Sequence, residues 1–322
     1  MGKEMNKFDR IRKKTFTPFW NNFDTKPKSS KSMSLIVQSL KKFFKKNIGI
    51  QIKINTYKNL EKKDEFFSSY QIDKNIISYR NKLLAEIVVK YLRKSNLIFK
   101  TKDINKYIDE YCEVFKKSPI KDLGSGFGFN EGLFLYCIIK VINPNLVIES
   151  GIMKGFTTYL IDAAVSNNCK LKCYDISFEN IEYKSKKANY FQQDINQDPP
   201  DLKNKKVLAF WDDHTSQLDR LEFSIKNKIK FNLFDDDLSF LNFHSDGWPP
   251  IPSISMLFDL KNKIITKNIF EWVSRGRKGK IWLENIKKRN EINQIKTHNL
   301  FPNLFSITGF KNHSQCSLVI LK

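Results

Sequence analysis

Between residues 145 and 237, short apolar runs alternate with helix-patterned segments, and that order restricts the possible folds more than any other feature. The runs are "NLVIES", "KLKCYDIS", "NYFQQDI", "KKVLAFWDD" and "IKFNLFDDD". Between them stand "FTTYLIDAAVSNN", "FENIEYKSKKA" and "HTSQLDRLEFSIKN", each with helical character. Apolar strands separated by helices read as a parallel sheet covered on both faces. At the chain's end, "LFSITGF" and "QCSLVILK" flank a polar turn and predict a closing antiparallel hairpin. The expected fold class is α/β, with five parallel strands, a C-terminal hairpin and an N-terminal helical, basic extension.

Upstream, "RNKLLAEIVVKYLRK" (80–94) and "DINKYIDEYCEVFK" (103–116) read as helices, with Asp103 as the N-cap of the second. "MSLIVQSLKKFFKK" places Leu35, Ile36, Leu40, Phe43 and Phe44 on one helical face with four Lys opposite. These patterns divide the chain into a basic arm with an amphipathic helix (1–60), a helical extension (61–118) and a sheet domain (119–322). A loop or insertion over 238–300 belongs to the last of these.

The formal charge of +22 is unevenly spread. Residues 1–60 hold fifteen Lys/Arg against three Asp/Glu, a net of +12. Such an arm suits nucleic acid, an anionic membrane surface or a charged glycan; it reads equally as a Lys-, Asn- and Ile-rich composition. The five Cys include no C-x-x-C pair, which favours a reducing compartment and free thiols over a disulfide framework or zinc site. No apolar run reaches the ~20 residues of a membrane span, and no signal-peptide core is present. A cytoplasmic protein is expected, with peripheral membrane contact through the arm as an option.

Two glycine-containing segments compete as a ligand loop. A nucleotide loop follows a buried strand and opens a helix, so that backbone N–H groups face the ligand. "DLGSGFGFNEG" (122–132) follows "FKKSPIK", where Pro119 and lysines leave no room for a central strand. "VIESGIMKGFTT" satisfies both conditions, with Gly151 and Gly155 around the turn. It is neither G-x-G-x-x-G nor a P-loop. Asp175, 24 residues after Gly151, ends the next run and suits a ribose diol. Glu149, Gly151, Gly155, Thr157, Asp175 and Asp194 form the candidate cofactor set. An acidic edge tolerates an uncharged adenosine and a sulfonium better than a polyphosphate. Glu149 and Asp175 also read as solvated strand-end residues.

Asp212, Asp213 and His214 follow the fourth run, and Asp235, Asp236 and Asp237 the fifth. Adjacent parallel strands ~4.8 Å apart bring both clusters to one edge. Carboxylates so close together need compensation. Asp212, Asp213, Asp235 and Asp236 are candidate ligands for Mg²⁺ or another divalent cation. Asp213 or His214 could instead cap the helix over 215–228, and Asp237 reads as solvated. A metal-free acid/base role for His214 and Asp213 is the third reading. The aromatic, Pro-rich stretch 238–259 could shape a substrate pocket, with Trp248 or Phe243 stacking on a sugar, or form a minor core. Arg275 and Arg277 could bind an anion or belong to a solvated turn.

Residues ~130–240 resemble the class I S-adenosylmethionine-dependent methyltransferases, most of all the cephalosporin hydroxylase/macrocin O-methyltransferase-like group. "NPNLVIESGIMKGFTTYLI", "CYDIS", "FWDDHTSQLDRL" and "FNLFDDD" carry the resemblance, over about a third of the chain. It implies a Rossmann-like methyltransferase sheet and S-adenosylmethionine as cofactor. It also implies a metal beside the acid clusters, with the relatives' Asp-His pair mapping onto Asp213 and His214. Trp211 stands where those relatives carry an acid, a departure that bears on the ligand set. "DLGSGFGFNEG" would be a flexible lid with hinge glycines. The expected function is an O-methyltransferase acting on a hydroxyl of a glycan or small polar molecule. The alternatives are an RNA-binding protein or RNA methyltransferase led by the basic arm, and a non-catalytic scaffold.

Overall fold

The computed structural model describes residues 74–121, 123, 127–243, 249–274, 277–312 and 314–322. The basic arm, the amphipathic helix over 33–46, the glycines at 124 and 126, Trp248, Arg275 and the Arg277 side chain lie outside the described structure. Residues 72–274 and 279–322 form one compact unit.

That unit is built on a seven-stranded sheet of order β3-β2-β1-β4-β5-β9-β8. Its strands are β1 (Leu146–Ser150), β2 (Lys170–Tyr174), β3 (Ala188–Phe191), β4 (Val207–Trp211), β5 (Phe231–Phe234), β8 (Ile295–Leu300) and β9 (Ser317–Leu321). The first five run parallel, as the alternation of apolar runs and helices implies. β9 inserts antiparallel between β5 and β8. β1, β4 and β9 are buried along their whole length, which is why their sequences are mostly apolar. β6 (Ile269–Ser274) and β7 (Arg277–Trp282) form a separate two-stranded sheet.

The helices are α1 (Lys74–Lys94), α2 (Thr101–Lys116), α3 (Phe129–Ile142), α4 (Phe156–Ala164), α5 (Gln217–Lys226), α6 (Ile254–Lys261), α7 (Leu283–Lys287) and α8 (Phe305–Thr308). α1 and α2 belong to the sheet's unit. The Tyr91 hydroxyl of α1 donates to the Asn299 carbonyl of β8 at 2.9 Å, and the Tyr159 hydroxyl of α4 reaches the Val114 carbonyl of α2. Beneath the carboxyl edge, Ile148, Ala209, Trp211, Leu221, Phe234 and Val319 join one apolar cluster.

Several expectations are corrected. The N-cap of α2 is Lys100, in extended conformation; Asp103 lies inside the first turn. No helix forms over 178–188. There the backbone N–H groups find other acceptors: Glu182 and Tyr183 donate to the Lys154 carbonyl, and Ser185 donates to the Tyr190 hydroxyl. The first hairpin strand is "IKTHNL", not "LFSITGF". The latter forms α8, opened by the Asn303 side chain accepting the Phe305 N–H and ended by Gly309 at φ +75°. Of "DLGSGFGFNEG" only 123 and 127–132 are described, and the hinge reading of the glycines at 124 and 126 lies outside the described residues. The described part opens α3, where Glu131 accepts the Gly128 N–H at 3.2 Å. Gly132 sits within that helix, where a Cβ would come within 2.6 Å of the Tyr111 hydroxyl and 2.8 Å of Leu160. Phe240 and Phe243 pack edge-on against Phe270, so the minor-core reading holds for Phe243.

Candidate functional site

The parallel ladder continues one residue past the strand ends. Asp212 N–H donates to the Ser150 carbonyl at 2.7 Å, Asp235 N–H to Trp211 at 3.0 Å, and Asp175 N–H to Phe191 at 3.1 Å. The acids that follow β2, β4 and β5 are thereby lined up along the carboxyl edge, where open α/β sheets bind ligands.

The loop Gly151–Gly155 crosses this edge between β1 and α4. Gly151 has φ +93°, and a Cβ there would lie 2.2 Å from the Asp212 carbonyl oxygen. Gly155 has φ +86°, and its Cβ would lie 2.4 Å from the Tyr183 carbonyl oxygen. Both positions therefore require glycine for conformation and for close approach. Met153, His214 and Asp236 also adopt φ near +50°. Each follows a strand of this edge. Elsewhere the positive-φ non-glycine residues are asparagines and lysines. Asp and His enter such backbone more readily than most side chains, so Met153 is the strained residue of the three.

Glu149 is 1% exposed. Its carboxylate accepts from Thr157 (2.5 Å), Thr158 (2.6 Å) and the Cys173 thiol (3.3 Å). Burial pushes the Glu149 carboxyl up to about 7, against the lowering effect of those bonds. Glu149 and Thr157 thus brace the loop from beneath, and neither the cofactor-contact nor the solvated reading of Glu149 fits. Asp175 is partly exposed and accepts from the N–H groups of Ile152 (2.7 Å), Met153 (3.2 Å) and Ser177 (3.1 Å).

Asp213 and Asp194 converge on Arg220. Its guanidinium donates from Nε to Asp213 at 2.8 Å and pairs with Asp194 through its terminal nitrogens. Asp213 also accepts from Ser150 at 2.5 Å and from the Thr215 hydroxyl and N–H. Burial acts to raise Asp194, but the Arg220 contact outweighs it and holds the carboxyl below its usual range. Asp194 is accordingly an ion-pair partner. The cap of α5 is Ser216, which accepts from Asp219 N–H, so neither Asp213 nor His214 caps that helix.

Asp212 meets Asp235 and Asp236. Burial first, then these two carboxylates and a hydrogen bond with Asp235, push Asp212 well above the carboxylate range. Asp212 therefore retains its proton more readily than an ordinary carboxyl, which relieves the repulsion. Asp235 also accepts from Ser314 and, at 2.8 Å, from the Cys316 thiol. His214 is exposed, with Nδ1 3.8 Å from Asp236. A cavity of about 10 Å³, room for one water, lies among His214, Asp212, Asp213, Asp235 and Asp236. Asp237 is not solvated. It is fully buried, and the His298 ring meets it at 2.7 Å.

Among the described residues, no three His, Cys, Asp or Glu side chains form a group that could hold a metal ion. Asp213 is engaged by Arg220, and Asp235 by Ser314 and Cys316. The donor set as arranged does not fit a metal. The acid-lined edge does suit a ligand carrying positive charge.

The sequence reading missed Arg220, Gln217 and Cys316. Arg220 lies on the buried stripe of α5 with Gln217, Leu218, Leu221 and Ser224. A lone cation within an apolar face is the signal that was available. Gln217 donates to the Asp235 carbonyl and accepts from Ile254 N–H, tying β5 to α6. Cys316 acts through a contact 81 residues away in sequence, for which the chain carries no local signal.

This sheet order, with an antiparallel last strand inserted beside β5, is the Rossmann-like methyltransferase fold. No protein-family model matches the chain, and no curated protein matches it in sequence. Among solved structures it is similar to a cmcI structure with SAH, at 9% identity and TM-score 0.30, over 34% of this chain and 61% of that one. It is also similar to the O-methyltransferase TomG from Streptomyces achromogenes in complex with SAM. There identity is 10% and the TM-score 0.37, over 75% of this chain and 98% of that one. For the SAH-bound Podospora anserina methyltransferase PaMTH1 the values are 9% and 0.38, over 80% and 100%. No helix among the described residues is long and apolar enough to cross a membrane.

Proposed function

We propose that this chain is an S-adenosylmethionine-dependent O-methyltransferase acting on a hydroxyl of a glycan or other small polar molecule. The observation that carries this reading is the seating of Gly151 against Asp212. It holds a glycine loop and the start of α4 beside an edge lined with carboxylates. A polyphosphate would be repelled there, whereas a sulfonium is attracted.

When bound, S-adenosylmethionine supplies an electrophilic methyl carbon. The Gly151–Gly155 loop would form the floor beneath it. A carboxylate offers about four lone-pair sites, and Asp175 uses three on N–H groups of Ile152, Met153 and Ser177. One acceptor site is left for a ribose hydroxyl. His214 is exposed beside the small cavity and takes the role of base, holding the proton that the acceptor hydroxyl gives up. Asp236, 3.8 Å from the ring, stabilises the imidazolium so formed. Arg220 keeps Asp213 and Asp194 paired, which fixes the ends of β3 and β4 relative to each other.

The test is transfer of a labelled methyl group from S-adenosylmethionine to a panel of sugars and polyols. Transfer lost in His214→Asn supports the reading, and equal transfer by that variant removes His214 from the chemistry.

A further inference from the structure

At the opposite, amino-end edge of the sheet, six of the seven strands present a lysine. Lys186 lies two residues before β3, next to Lys187, which pairs with Asp162, Lys170 opens β2, Lys206 precedes β4, Lys230 precedes β5, Lys322 follows β9 and Lys296 is the second residue of β8. β1 contributes Asn145. The row is held by the backbone. Lys170 N–H donates to Asn145, Asn145 N–H to Lys206, Leu321 N–H to Lys230 and Lys322 N–H to Gln294. Six strand spacings of ~4.8 Å make it roughly 29 Å long.

All six lysines are exposed, and none forms an ion pair among the described residues. Lys203, Lys226 and Lys228 add exposed charge beside them. The nearby acids are already engaged, Asp201 with Lys205 and both Glu222 and Glu291 with Arg289. Attraction of cations to helix C-termini accounts for Lys226 and Lys228 at the end of α5. It does not account for lysines at strand ends. A lysine-rich composition supplies lysines, but it does not align one with each of six strands along one edge. Asp175, Asp194, Asp212, Asp213, Asp235 and Asp236 all lie at the carboxyl edge.

We infer that the amino-end edge binds the phosphate backbone of a single-stranded nucleic acid. A row of point charges one residue wide matches a linear polyanion better than a plane of headgroups. Phe231, which opens β5 at this edge, is half-buried with Lys230 over its ring, so binding is to phosphates and indifferent to sequence. The surface is separate from the carboxyl edge and does not depend on methyl transfer.

The test is fluorescence anisotropy of a labelled oligouridylate, about 20 nucleotides long to exceed one module's site, with the full chain across a salt series. The combined variant Lys170→Glu, Lys206→Glu, Lys230→Glu and Lys322→Glu is expected to bind at least about tenfold more weakly at low salt. Its log–log salt slope should fall by about 2.8, at ~0.7 per single-strand phosphate contact. The four corresponding Lys→Gln changes should weaken binding in the same direction, with melting temperature unchanged. Wild-type affinity in the edge variants overturns the inference. So does loss of binding only on reversing Lys13, Lys14, Lys41 and Lys42, or binding to phosphatidylserine vesicles without binding to RNA.

Discussion

The Arg220 guanidinium, with its side chain 2% exposed, donates to Asp213 at 2.8 Å while also pairing with Asp194. One buried cation thus joins residues in the loops that follow β3 and β4. Removing one partner of a buried pair leaves the other charges uncompensated. Asp213 and Asp194 keep 16% and 30% exposure, which moderates the cost. Arg220→Met should therefore lower stability by about 3 kcal/mol in urea unfolding. Adding Asp213→Asn should recover part of that loss. Full additivity of the two changes would show that they do not interact.

Gly151→Ala introduces a Cβ 2.2 Å from the Asp212 carbonyl at φ +93°. The strained backbone alone costs about 1–3 kcal/mol, and the contact forces the loop away from β4. A lower melting temperature and loss of S-adenosylhomocysteine binding are expected together. A variant that binds normally would mean that this approach is not needed for the site.

Glu149 gives a pH dependence with a defined sign. Folding raises its carboxyl from 4.5 to about 7. Between those values the unfolded chain gives up the proton and the native chain retains it, so stability falls as pH rises. The fall is about 3 kcal/mol over that window, at ~1.4 kcal/mol per pH unit. Asp212 shifts in the same direction in both proteins. The difference in urea midpoint between wild type and Glu149→Gln, followed from pH 4.5 to 8, therefore isolates Glu149. A difference that stays constant with pH would contradict its raised carboxyl.

The parallel core was legible in the sequence because β1, β4 and β5 are apolar runs that need no long-range information to recognise. The Gly151 loop was legible too, since strand, glycine turn and helix follow one another within twelve residues. α3 was missed because it is buried on nearly every side and so lacks an amphipathic period. Segment 178–188 has helical composition, but the Lys154 carbonyl and Tyr190 hydroxyl take its N–H groups, a tertiary choice. Asp213 and Asp194 were recognised as acids at the right edge. Their occupation by Arg220 depends on how α5 is rotated against β4, which strand-end patterns do not encode.

His214 has its ring exposed and Asp236 as its neighbour at 3.8 Å. His214→Asn should lower kcat by about 10²–10⁴-fold, the usual range for a general base, with cofactor affinity unchanged. A loss in affinity equal to the loss in rate would make it a binding residue.

Among the described residues no three carboxylate, imidazole or thiol groups are arranged to hold a metal ion. Methyl transfer and melting temperature should therefore be insensitive to EDTA. A melting temperature that climbs with millimolar Mg²⁺ would show instead that the acid cluster binds a cation.

Calorimetric titration with S-adenosylhomocysteine decides whether the carboxyl edge is a cofactor site. Micromolar binding to the wild-type chain, abolished by Gly151→Ala and retained in His214→Asn, is the expected result. No heat and no thermal shift at millimolar ligand would contradict the methyltransferase reading.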